Sequence, residues 1–154
     1  MWTAPPVLAR AWARAVGWLE ALQPLALLAA RLYVAQVFFL SGLTKIRDWE
    51  ITLALFSDEY QVPLLPPEVA AVAGTAGELV LPVLLAVGLA GRFSAMGLFV
   101  LNIVAVLSLA EIAEPALQLH VFWGSLLAGL VLWGPGKWSV DHFLAPSFLR
   151  SARS

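Results

Sequence analysis

The sequence predicts an all-α integral membrane protein, a four-helix bundle, and three observations carry that prediction. Of 154 residues, 61% are hydrophobic and only 12% charged, against about 25% charged in soluble domains. Mean hydropathy is +0.86. Four apolar stretches, 24–43, 69–89, 93–110 and 117–133, are each long enough, or nearly so, to cross about 30 Å of hydrocarbon.

The elements follow in order. Residues 1–23 carry Arg10 and Arg14, with Val7, Leu8, Ala11, Trp12, Ala15, Val16 and Leu19 close to helical spacing, which reads as an amphipathic leader helix lying along the inner membrane surface. Neither a short apolar core nor a small-residue cleavage site precedes the long first span, so an uncleaved chain is expected. Between the first two spans, Trp49, Ile51, Leu53, Leu55 and Phe56 alternate with acids, a pattern fitting a short interfacial helix or a structured loop. Pro63, Pro66 and Pro67 then lead into the second span, because proline suits a helix start.

Spans two and three are expected to meet across a tight turn at Gly91 and Arg92. Residues 111–118 join spans three and four, with Pro115 as breaker. Gly74, Gly77, Gly88 and Gly97 suit close helix packing, and Trp123, Trp133 and Trp138 suit membrane interfaces. The organisation is thus a leader (1–23), one membrane domain (24–144) and a cytoplasmic tail (145–154). Arg10, Arg14, Arg92, Lys137, Arg150 and Arg153 fall on one side, Lys45 and Arg47 on the other. The positive-inside rule therefore puts both termini in the cytoplasm.

Composition also excludes functions. A net charge of −1 without a basic stripe argues against nucleic acid. The chain has no cysteine, so thiol relays, disulfides and thiolate metal sites must belong to a partner.

Charged and polar residues inside the apolar runs are the candidates for function, since a buried ionisable group there costs roughly 2.5–3.5 kcal/mol on insertion scales and needs a partner or a cavity. Counting 1.5 Å per residue from the cytoplasmic end of each span puts Arg31 roughly 10 Å in, Gln36 and Glu78 roughly 18 Å and Asn102 roughly 14 Å. All four are expected to share one polar pocket. Arg31 and Glu78 read either as a structural ion pair pinning helix to helix, or as ligand-binding and proton-relay groups, with Glu78 raised in pKa by desolvation. His120, near the outer start of span four, reads as an interfacial histidine or as a proton donor or metal ligand. Glu111 and Glu114 would share a face on a continuing helix and could join His120 around a cation. The default is that these acids are simply solvated and no metal is bound, least of all copper(I), which prefers sulfur ligands. Pro82, one turn after Glu78, frees the Glu78 carbonyl.

These residues resemble the DoxX family of small four-helix bacterial membrane proteins. The landmarks are Arg31, the Ser41-Gly42-Leu43-Thr44-Lys45 end of span one, Glu78 with Pro82, the run Gly88 to Arg92, and the closing segment with Gly134, Gly136, Ser139 and Asp141. The resemblance is read over residues 30–144. Gly134 to Gly136 has a structural use in ending span four, and Ser139 or Asp141 in capping the segment after it. The resemblance implies an inner-membrane accessory of redox or stress-response systems, metal stress included, since relatives are linked to thiosulfate:quinone oxidoreduction and to complexes with thiol and superoxide enzymes. Two functions are expected in consequence. One is an oxidoreductase subunit binding quinone or a small apolar ligand at Arg31, Gln36, Glu78 and Asn102, with no cofactor of its own. The other is a non-catalytic scaffold or small transporter that recruits partner proteins. Either admits a homo-oligomer.

Overall fold

A computed structural model describes residues 6–144, and the tail 145–154 and the first five residues of the leader lie outside the described residues. Five helices succeed one another: α1 (Pro6–Arg47), α2 (Trp49–Asp58), α3 (Pro67–Val87), α4 (Gly91–Ser108) and α5 (Glu114–Trp133). Helices α1, α3, α4 and α5 are long and apolar enough to cross a membrane. The four spans form an all-α bundle, as expected.

α1 packs chiefly on α3, α3 on α4 and α4 on α5, and α5 closes the ring against α1. The shared core holds Val34 and Phe38 from α1, Leu85 from α3, Ala95 and Leu98 from α4, and Leu127 and Leu130 from α5. Without water in the bilayer, this contact depends on close packing, so small residues sit where helices touch. A side chain on Gly77 would meet Leu101 at 2.8 Å, and one on Gly97 would meet Leu81 at 2.7 Å.

The short helix expected between the first two spans is present as α2. Asp48 caps it, its carboxylate accepting from the Ile51 N–H at 3.1 Å, which satisfies a backbone donor that the first turn cannot. Phe56 of α2 packs with Ala70 and Ala71 of α3. The three prolines do lead into α3, which begins at Pro67.

Three local expectations are corrected. The leader is no separate helix: α1 runs through Pro24 without interruption for 42 residues, because apolar helix formers on both sides sustain it. The turn between α3 and α4 lies at 88–90 rather than at Gly91 and Arg92, which already belong to α4. Gly88 takes the left-handed conformation there, with φ 73°, as does Ala90. Pro115 breaks nothing; it stands in the first turn of α5, where its missing N–H would lack a helical partner in any case.

Candidate functional site

Glu78 is the acid that the apolar spans bury, and its partner is Lys45. Lys45 Nζ donates to Glu78 Oε2 at 2.6 Å and to Ser41 Oγ at 2.9 Å. The pair is largely shielded, with 20% of the lysine side chain and 14% of the glutamate exposed. Ser41 and Lys45 share a face because they are four residues apart on one helix. Gly42, between them, allows the approach: a side chain there would come within 2.9 Å of Leu79 and 3.2 Å of the Glu78 backbone. Pro82 is buried in α3 and, by lacking an N–H, leaves the Glu78 carbonyl outside the helical ladder.

The pair forms the polar part of a chamber of about 300 Å³. Phe56 of α2, Gly74 of α3, Leu101 and Ser108 of α4, and Tyr60, Pro63 and Leu65 of the loop contribute to its lining. The loop is tied down over it: Gln61 N–H donates to the Ser108 carbonyl at 2.8 Å, Tyr60 bridges to Leu109, and the Tyr60 ring packs at a tilt against Phe56 with centroids 5.1 Å apart. Burial, and then the negative charges of Glu59 and Glu78, raise the pKa of the Tyr60 phenol above its ordinary value. Tyr60 is therefore a neutral donor beside the pair. A mainly apolar pocket with one ion pair and one phenol can bind a small molecule whose polar head carries a carbonyl or hydroxyl.

The expected pairing of Arg31 with Glu78 is overturned. Arg31 is fully buried, but it donates through Nη2 to the Trp138 carbonyl, and its Nη1 lies against Gly88. Depth explains the error. The end of the bundle that carries Gly88 and Gly136 meets α1 at Leu27, which packs against Gly136, and not at Pro24, so Arg31 lies level with the end of α3. Lys45, fourteen residues on, is about 21 Å further along the helix, and that is the level of Glu78.

Around Arg31 the closing motif makes a latch. Asp141 accepts from the N–H groups of Ala90 at 2.8 Å and Gly91 at 2.7 Å, capping α4, while its own N–H donates to the Gly88 carbonyl at 2.9 Å. Ser139 Oγ donates to the Gly136 carbonyl at 2.6 Å and accepts from the His142 N–H. Arg92 donates to the Leu132 carbonyl at 3.3 Å near the end of α5, and Gly134 ends that helix with φ 82°. The carbonyl end of α3 suits the Arg31 charge beside it, although Nε and Nη1 find no acceptor among the described residues. Gly134 ends α5 and Ser139 caps the segment after it, the uses expected of them, whereas Asp141 caps the start of α4 and not the segment after Gly136.

Asn102 and His120 meet each other instead of Glu78. Asn102 Nδ2 donates to the His120 carbonyl at 2.9 Å, and His120 Nδ1 lies 2.8 Å from Asn102 Oδ1. They line a groove of about 390 Å³ on the opposite face of α4 from the chamber. Gln36 is exposed on a third surface, in a groove with Pro82 and Val83 between α1 and α3. The single polar pocket expected for Arg31, Gln36, Glu78 and Asn102 is thus four separate places. Glu111 lies in the loop before α5 and Glu114 in its first turn, so no continuing helix aligns them. No three His, Asp or Glu side chains among the described residues come together as a metal site.

Sequence reasoning treats Lys45 as a landmark of the family resemblance and gives Tyr60 and Ser108 no role in a site. The signal for Lys45 is its spacing from Ser41 at the end of an apolar run; Tyr60 gives none, because only the folded loop brings it over α3.

The architecture and its buried polar groups define a multi-spanning helical membrane protein. The family model DoxX matches residues 26–111, and the chain belongs to the DoxX family. The match covers Arg31, Lys45, Glu78, Pro82 and Arg92 and stops before the segment that carries Gly134 to Asp141. No curated protein and no solved structure shows a significant match.

Proposed function

We propose that the protein is an accessory subunit of a redox or stress-response system in the bacterial inner membrane, with both termini cytoplasmic, and that it binds a quinone or a similar small apolar ligand in the Lys45–Glu78 chamber. The observation that carries this reading is one partly open, mainly apolar space lined by an ion pair and a neutral phenol. Lys45, with a third N–H left after Glu78 and Ser41, donates to a ligand carbonyl. Glu78 accepts from a ligand hydroxyl, and Tyr60 serves either way. About 300 Å³ suits a ring-sized head, at the lower end of ligand cavities. Orientation rests on the count of Lys and Arg in the connecting segments.

Titration of the purified protein with a short-chain quinone, followed by tryptophan fluorescence, tests the reading. Saturable binding weakened tenfold or more by Glu78→Gln or Lys45→Met is expected. Binding that is absent, or indifferent to both substitutions, would reject it.

A scaffold function, recruiting partner proteins without binding a ligand, is favoured by a different observation. Arg31, Gly88, Arg92 and Asp141 form a latch that holds helix ends together, so much of the residue pattern serves folding. Pull-down of a partner that survives loss of the Lys45–Glu78 pair would support that function.

A further inference from the structure

α1 is twice the length its membrane crossing needs. Its 42 residues extend about 63 Å at 1.5 Å each, while the hydrocarbon is about 30 Å thick. The bundle takes up α1 only from about Leu27, and residues 7–22 run past its inner end almost wholly exposed. Trp12 is 72% and Trp18 74% exposed, with Leu8, Leu19 and Leu22 above half.

We propose that residues 7–22, continuous with the span in the structure, bend at Pro24 in the bilayer and dock on an anionic membrane surface. At 100° per residue, Leu8, Trp12, Ala15, Leu19 and Leu22 fall on one face, while Arg10 and Arg14, one turn apart, fall on the other side. Two tryptophans at the border and two arginines above it are what an interfacial helix presents to lipid headgroups. With Glu20 as the acid of the segment, residues 7–22 carry one net positive charge, which complements an anionic leaflet. Pro24 gives the place to bend. It lacks the N–H that would bond to Glu20, and its ring crowds that carbonyl, so the helix is weakest there.

The cysteine-free chain allows a direct test in the intact protein. Ala15→Cys, on the apolar face, and Ala13→Cys, on the polar face, are each labelled with an environment-sensitive fluorophore. The protein is then placed in nanodiscs of phosphatidylcholine, with or without phosphatidylglycerol, that contain nitroxide-labelled lipid. The label at position 15 is expected to shift to the blue and be quenched by the nitroxide, and the label at 13 to remain water-like. One net charge should favour the docked form roughly fivefold in the anionic discs, and Pro24→Ala should reduce docking. A label at 15 that stays in water in both lipids overturns the proposal. So does shielding of both labels without nitroxide quenching, which would mark a protein partner or a second copy. Docking unchanged by Pro24→Ala overturns the bend. Each outcome is independent of ligand binding at Lys45 and Glu78.

Discussion

Lys45 and Glu78, 33 positions apart in sequence, meet at 2.6 Å across α1 and α3, and the fully buried Arg31 lies about 21 Å away along the same helix. Lys45 has a carboxylate partner in Glu78, whereas Arg31 bonds to the Trp138 carbonyl. Removing one partner of a shielded pair leaves the other charge uncompensated, which costs more than the pair itself contributes.

Glu78→Gln and Lys45→Met should therefore each destabilise the protein, by roughly 1–3 kcal/mol at this partial exposure. The double substitution Lys45→Met with Glu78→Leu should recover most of that while leaving the chamber without its polar groups. Unfolding in detergent, measured for the two single variants and the double, checks the cycle. Additive losses would show that the groups do not depend on each other.

Gly88→Ala should be among the most damaging single changes. Gly88 has φ 73°, and an added side chain would fall on Arg31 Nη1 and within 2.5 Å of Ser139 Cβ. Left-handed strain and overpacking together predict a loss of roughly 2–4 kcal/mol. A lowered melting temperature relative to Gly17→Ala, whose added carbon meets nothing within 4 Å, is the comparison to make.

Asp141→Ala removes the acceptor for two N–H groups at the start of α4. A loss of at least 1–2 kcal/mol, roughly the usual range for a helix cap, is expected. Asp141→Asn keeps one acceptor oxygen and should lose less. Thermal unfolding of the two variants side by side gives the order.

Asn102→Ala should free the His120 ring. Because Asn102 Nδ2 donates to the His120 carbonyl, its Oδ1 is left to accept, and the imidazole proton belongs on Nδ1. Nitrogen chemical shifts of a histidine-labelled sample should report that single tautomer in the parent chain and a mixture in the variant. A mixture in both would refute the pairing.

The pH dependence of stability should carry the mark of Tyr60. Its pKa is raised above the ordinary 10.0 in the folded protein, so the fold favours the protonated phenol. That contribution is complete below pH 10.0 and is lost as pH climbs through the folded value. The melting temperature should fall more steeply above about pH 10 in the parent chain than in Tyr60→Phe.

Legibility in the sequence differs by scale. The four spans, the short α2 and the proline start of α3 follow from apolar run length and local helix chemistry, which act within a few residues. A bilayer offers only helices or closed barrels a way to satisfy the backbone, and long unbroken apolar runs select helices, so composition and run length decide the class of fold. Glu78 and Arg31 are recognisable as buried charges for the same reason.

Their partners are not. Pairing depends on the axial register of α1 against α3. That register follows from where the bundle takes hold of a helix that continues unbroken through Pro24, and no local signal marks the place. The rotation of α4 likewise turns Asn102 toward His120 and away from Glu78, while loop closure brings Tyr60 over the chamber. Short-range chemistry in the chain determined what the elements are; only tertiary packing, which acts between residues tens of positions apart, decided which polar groups face one another.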